Sequence, residues 1–346
     1  IEENGFFYAR GASDDKAMVA IYTDTMIRLR AEKRPRRTVK LALTCGEEHN
    51  GPFDGAEWLA NNRRALIDAE FALNEGGGGR LDPQGKPLYF AMQVSEKSPQ
   101  NYTLEVTNPG GHSSLPRADN AIDELAAALI KVQAYKFPVK IDETTRAFWT
   151  QMATVVSPVA GQAMTAIAAN PNDRLAEALL GRDPGYNSLL RTTCVVTLLS
   201  GGHAPNALPQ RATANINCRI FPGETVEEVR RKLAEVIGDP AVSVSVQGQQ
   251  APKSRPAPLR EAIVGPAASL GRELYPKVPL ILSMSAGASD SIYVAAVGIP
   301  SYGVPGILYE NDGGGIHGLN EHIRVKSLYD GRDYLHRLIR LYAEMP

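Results

Sequence analysis

Apolar residues recur with two distinct periods along this chain. Between residues 14 and 31, Met18, Ile21, Tyr22, Thr25, Met26 and Leu29 fall three or four apart, the spacing of an amphipathic helix that starts near Ser13. In "TVKLALT" (38–44), Val39, Leu41 and Leu43 alternate with their neighbours as a strand does. A helix is predicted at 54–66. Strands are predicted at "AEFALN" (69–74) and "LYFAMQVS" (88–95), with "GGGGRLDPQGKP" as the loop between them. Strands alternating with helices predict a mostly parallel sheet covered on both faces.

The pattern then changes. "NYTLEVTN" (101–108) reads as a strand and 119–135 as a helix. After an irregular or helical stretch near 137–190 come strands at 192–200 and 211–220, a helix at 224–237 and a strand at 242–248. In order this is β-α-β-β-α-β, a ferredoxin-like pattern with an insertion. "QQAPKSRPAP" (249–258) reads as a linker. A helix at 259–274, a strand near 279–283, a helix at 289–297, a strand at 299–304 and a helix at 325–343 return to α/β logic. The expected fold is therefore an α/β domain of residues 1–97 and 253–346, interrupted by a smaller ferredoxin-like α+β domain of residues 98–252.

Composition narrows the function classes. The 346 residues are 43% hydrophobic and 22% charged, ordinary values for a globular chain. A net charge of −1 gives no electrostatic reason to expect nucleic acid or an anionic membrane as partner, and no apolar run approaches the roughly 18 residues of a membrane span. Cys45, Cys194 and Cys218 are too few and too scattered for a disulfide framework or a zinc knuckle, which leaves room for a single disulfide. The first residue is Ile1 and no signal peptide is visible. The expected location is cytoplasmic, or periplasmic or secreted if a leader has been removed.

Ionisable residues gather where strands end. Asp14 and Asp15 lie in "ARGASDDKA", Glu47 and Glu48 follow the 38–44 strand, Glu75 follows the 69–74 strand, and His317 lies in the glycine-rich "DGGGIHGLNEH". Ligands of open α/β sheets collect at the carboxyl ends of strands. Each residue alone has an ordinary explanation: a helix cap, a solvated turn, a loop histidine. Together, two acidic pairs, a third acid and a histidine are the donor set of a carboxylate-rich two-metal site. Two neighbouring glutamates can then divide the work, one binding metal and one taking a proton.

Here the sequence resembles a known family. "YARGASDDKA", "LTCGEEHNG", "ALNEGG", "NPGGHSSLP", "HAPNALPQRATANINCRIFPGE", "SAGASDS" and "GIHGLNEHI" occur in the order and rough spacing of the M20 metallopeptidases, which include carboxypeptidases, dipeptidases and aminoacylases. The resemblance covers nearly the whole chain. It implies a phosphorylase/hydrolase-like catalytic domain with an inserted lid or dimerisation domain, and two divalent metals, zinc first and cobalt or manganese as alternatives. Asp14 resembles the carboxylate that bridges the metals, with Asp15 behind it through a cis peptide. Glu47 resembles the general base, Glu48 and His317 the ligands of one metal, and Glu75 a ligand of the other. His112 resembles the histidine that polarises the scissile carbonyl, while Asn206 and Arg219 resemble the substrate contacts, Arg219 suiting a terminal carboxylate. Ser285, Gly287 and Ser289 are expected to line the carboxylate pocket. His49, His203 and His322 read as loop histidines.

The implied activity is hydrolysis of an amide beside a free carboxylate, with a peptide as the first choice of substrate and an N-acyl amino acid as the second. The stretch at 137–190 resembles the carboxypeptidase S-like branch and its acylase relatives. A homodimer through the inserted domain is also implied. One departure stands out. The family carries an H-x-D motif upstream of the bridging aspartate, and none of the thirteen residues before Asp14 is histidine. The expectation is a shortened form of a longer protein, one ligand short at the Glu75 metal. The competing expectation is a metal-poor, non-catalytic binding or dimerisation module.

Overall fold

The computed structural model describes residues 1–48, 53–304, 306–310 and 312–346; His49 lies outside them. In chain order the first part runs β1 (Glu2–Glu3), β2 (Phe6–Tyr8), α1 (Lys16–Ala31), α2 (Gly55–Asn62), α3 (Arg64–Ile67), β3 (Ala72–Asn74), β4 (Gly78–Leu81) and β5 (Pro87–Glu96). The middle part runs β6 (Ser98–Thr107), β7 (Gly111–His112), α4 (Ala121–Ala134), α5 (Glu143–Met152), α6 (Pro158–Ala169), α7 (Arg174–Leu180), α8 (Pro184–Leu190), β8 (Thr193–Gly201), β9 (Ala207–Leu208), β10 (Arg211–Ile220), α9 (Val226–Ile237) and β11 (Val242–Gln247). The last part runs α10 (Glu261–Leu274), β12 (Leu280–Ser285), α11 (Ser291–Ala296), β13 (Ser301–Gly303), β14 (His322–Arg324) and α12 (Val325–Ala343).

The middle sheet has the order β11-β6-β10-β8, all antiparallel, and β10 keeps Ala212, Ala214, Ile216, Cys218 and Ile220 on its buried face. That period of two points them at α4 and α9, forming a core with Tyr102, Leu104, Leu125 and Leu233. The Tyr102 hydroxyl, inside that core, donates to the Val226 carbonyl at 2.8 Å. Helix α9 shows why local sequence suffices in places. Thr225 and Glu228 form a reciprocal capping box, and Gly238 closes the other end at φ 59°. Cys194 and Cys218 face each other across β8 and β10 and form a disulfide, while Cys45 is exposed and unpaired.

The other sheet has the order β12-β5-β13-β3, with β4 added beside β5. It is mixed, not mostly parallel: β12–β5 and β13–β3 run parallel, whereas β13–β5 and β4–β5 run antiparallel. Helices α1, α10 and α12 pack on it around Ile21, Met92, Tyr302 and Leu335. Residues 137–190 become helices α5–α8, whose core includes Ile281 of β12, so this stretch buries the flank of the mixed sheet.

Two strand expectations are corrected. "TVKLALT" forms no ladder among the described residues. Its alternation is that of a strand, but a strand also needs a partner edge, and a cavity of about 1360 Å³ lies between residues 37–44 and residues 66–75. Conversely, the glycine-rich stretch expected to be a loop contains β4. Its glycines allow close approach: a Cβ on Gly77, at φ 74°, would lie 2.6 Å from the carbonyl oxygens of Ala91 and Gly303. The helix expected at 54–66 is also split, into α2 and α3 at Arg63.

Candidate functional site

The acids converge at the ends of separate segments. Asp14 and Asp15 sit at the start of α1, joined by a cis peptide, and Asp15 caps the helix by accepting from the Met18 amide at 3.1 Å. Glu47 and Glu48 follow the extended 38–44 segment through a turn at Gly46, where φ is 100° and a Cβ would lie 2.4 Å from the Phe53 carbonyl. Glu75 follows β3. His317 comes from the loop before β14, at φ 61°.

His317 Nε2 lies 2.9 Å from Glu48 Oε2 and 3.2 Å from Asp14 Oδ2. One donor atom from each of Asp14, Glu48 and His317 lies within 4.8 Å of the others. Asp14, Asp15, Glu47, Glu48, Glu75 and His317 all line one cavity of about 420 Å³, which Ser285 and Ser289 also line.

This clustering raises proton affinities. Burial first, then the Glu48 carboxylate, pushes Asp14 up to about 6. The same two causes take Glu47 to about 7. Burial takes Asp15 to about 8, and burial followed by the Glu47 charge takes Glu75 to about 9. Each of these carboxyls would give up its proton more readily beside a bound cation. Oxygen donors with one imidazole suit divalent cations of the zinc, cobalt or manganese type. Asp14, Glu48 and His317 could hold one such ion, with Glu75 facing the same space.

Other expected residues lie elsewhere. His112 and Asn206 are neighbours, because β7 pairs with β9 and the Ser113 amide donates to the Asn206 carbonyl at 3.0 Å. Both are exposed, and His112 Nδ1 is 2.7 Å from Ser114 Oγ. Arg219 is half-buried near the end of β10, opposite Pro99 and Thr193, and has no carboxylate partner among the described residues. Burial lowers its pKa. None of the three lines the acid cavity. Gly287 is exposed and donates its amide to Ser285 Oγ at 3.0 Å. Ser289, only 8% exposed, is turned to protein partners, donating to Glu96 Oε2 at 2.8 Å. His203 is exposed, and His322 Nδ1 meets the Asn320 carbonyl at 2.8 Å.

Two residues were not singled out from sequence. Glu321, 3% exposed, accepts from the amides of Gly11, Ser13 and Asp14 at 2.8–3.0 Å and pairs with Arg10 at 2.7 Å. It fixes the loop that presents Asp14. Burial alone would raise its pKa, but these donors outweigh burial and lower it. Asp290 accepts from Thr44 Oγ1 at 2.7 Å. The signal for both was weak: each is a lone acid in a motif already explained by its histidine or its serines.

A sequence model described as peptidase family M20/M25/M40 matches residues 1–341. The human N-fatty-acyl-amino acid synthase/hydrolase PM20D1 is 28% identical, over 98% of this chain and 68% of its own length. The probable carboxypeptidase S-like 2 of Dictyostelium discoideum is 25% identical, over 98% of this chain and 66% of its own. The chain thus spans about two thirds of the length of these relatives. Among solved structures, the M20 family metallo-carboxypeptidase Sso-CP2 of Sulfolobus solfataricus superposes with a TM-score of 0.70 at 19% identity, covering 100% of this chain and 79% of that one. Human carnosine dipeptidase 1 superposes with a TM-score of 0.64 at 15% identity, covering 100% and 75%. Both share the fold.

Proposed function

Because the chain belongs to peptidase family M20/M25/M40 and is a hydrolase of amide bonds, we propose that it cleaves an amide next to a free carboxylate at the Asp14–Glu48–His317 centre, with Glu47 as general base. The observation that carries this reading is the convergence of those three donors with Glu47 on the same cavity wall. Divalent cations bound there would acidify water and polarise the scissile carbonyl. Glu47 does not belong to the converging donor set, so its carboxylate stays available to take the proton from water and return it to the leaving nitrogen. Burial and the Glu48 charge raise its proton affinity, the direction a base needs. Arg219, without a carboxylate partner among the described residues, offers its guanidinium to the substrate carboxylate, and His112 with Asn206 would supply carbonyl contacts once the ferredoxin-like sheet approaches the cavity.

A peptide with a free C-terminus is the first substrate class. The likeness to an N-fatty-acyl-amino acid synthase/hydrolase favours N-acyl amino acids as the second. Zinc titration followed by turnover of dipeptides and N-acyl amino acids tests both. Saturable zinc binding with turnover of either class supports the hydrolase. Zinc binding without turnover of either class would overturn the substrate assignment, and no binding would overturn the assignment of the centre.

We also propose a homodimer through β8. This edge strand exposes Val195, Val196, Leu198 (66%) and Leu199 (69%). Antiparallel pairing of two β8 edges about a two-fold axis would satisfy the backbone groups of both copies and cover these side chains. No described helix is long and apolar enough to cross a membrane.

A further inference from the structure

Glu47 and Glu75 repel each other, yet the proposed chemistry needs them at fixed separation around one cavity. Glu75 is held by β3. The end of the segment leading to Glu47 is met by two hydrogen bonds. The Gly55 amide donates to the Cys45 carbonyl at 2.8 Å, and Thr44 Oγ1 donates to Asp290 Oδ2 at 2.7 Å.

Asp290 lies between two serines that grip the other side of the site. Asn74 Nδ2, one residue before Glu75, donates to Ser291 Oγ at 3.1 Å and Ser289 Oγ at 3.3 Å. Ser289 Oγ donates in turn to Glu96 Oε2 at the end of β5, and Ser291 Oγ shares a hydrogen bond with Ser301 Oγ at the start of β13. Three consecutive residues thereby tie together the ends of β3 and β5, the start of β13 and the turn carrying Glu47. Ser289 and Ser291 are buried, so water competes poorly for these bonds.

We propose that Ser289–Asp290–Ser291 is a positioning hub that sets the geometry between Glu47 and Glu75, a role resting on the hydrolase reading above. The serines act on the metal side through Asn74. Asp290 acts on the base side through Thr44. The two arms are separable. Loss of the Thr44 arm displaces the turn that carries Glu47 and its neighbour Glu48 and leaves Glu75 in place. Loss of the serine arm loosens Glu75, as removal of a group that orients a ligand does, and such losses weaken metal binding by about 10–100-fold.

The test uses the full chain with Zn²⁺ titration, steady-state kinetics and thermal melting on each variant. Thr44→Val is expected to lower kcat by about tenfold or more and to weaken zinc binding through Glu48 on the same turn, and Thr44→Ser to restore both. The Ser289→Ala/Ser291→Ala double variant is expected to lose zinc affinity by about 10–100-fold. If it does not fold, Asn74→Ala removes the same two bonds from the strand side. Wild-type kcat in Thr44→Val, where Glu47→Gln is inactive, would overturn the base arm. Wild-type zinc affinity in the serine or Asn74 variants would overturn the metal arm. An active Glu47→Gln enzyme would instead sink the general-base reading, and the zinc titration would still decide the metal arm.

Discussion

Glu321, buried, and Glu75, half-buried on the cavity, are the same residue type within reach of the Asp14 loop, yet they sit in opposite environments. Glu321 receives three backbone amides and Arg10, and its pKa falls below the ordinary value. Glu75 receives no hydrogen bond among the described residues, faces Glu47, Asp15 and Asp14, and is pushed up to about 9. A buried carboxylate satisfied by its own chain is part of the framework. A half-buried carboxylate that lines a cavity among other acids is placed to meet a bound cation.

The strongest way to press this contrast is through Glu47, which shares the acid pocket. Glu47→Gln should reduce kcat by about 10²–10⁴-fold while zinc content, measured by elemental analysis, stays at the wild-type level. Retained turnover would remove the distinction between a base and a ligand. Next come the two glutamates themselves. Glu321→Ala strands three amides and should lower unfolding free energy by about 3 kcal/mol or more in denaturant titrations. Glu75→Ala in metal-free protein should be neutral or stabilising, because it removes a half-buried acid from among other acids. Equal losses in both would break the comparison.

Zinc should then reverse the sign for Glu75. At a concentration about 100 times Kd, the wild-type protein should gain about 2.7 kcal/mol, read as a rise in melting temperature, and Glu75→Ala should gain less. A smaller effect concerns pH. Glu96 is 4% exposed, and burial holds its carboxyl at about 8 despite the Ser289 hydrogen bond. Its folded pKa lies above its ordinary value of 4.5, so its neutral form favours the fold fully below pH 4.5. That contribution fades as pH rises through about 8. Glu96→Gln should flatten this part of the melting-temperature profile, and an unchanged slope would refute the assignment. The smallest effect on chemistry is expected at β8, where Leu198→Lys with Leu199→Lys should give a monomer by light scattering.

Much of this was legible in the chain. The 3.6-residue period fixed α12 at 325–343, and alternation fixed β10, because both patterns report a buried face formed within one segment. The acids and His317 were visible because several unusual residues recur at strand ends. The 38–44 segment misled because alternation records side-chain burial, whereas a ladder requires a second chain edge. β4 was hidden because its glycines read as turn residues. Glu321 and Asp290 were hidden because their roles lie in partners 307 and 246 residues away, and one acid in a loop looks the same whether solvated or gripping a distant backbone.

The Glu321 cradle also imposes an order in time. Asp14 is presented by a carboxylate 307 residues downstream, and His317 comes from the same late loop. A ribosome must therefore have released nearly all of this chain before the cavity can take shape, at a synthesis rate of about 5–20 residues per second. Until then Asp14, Glu48 and His317 have no shared cavity to line.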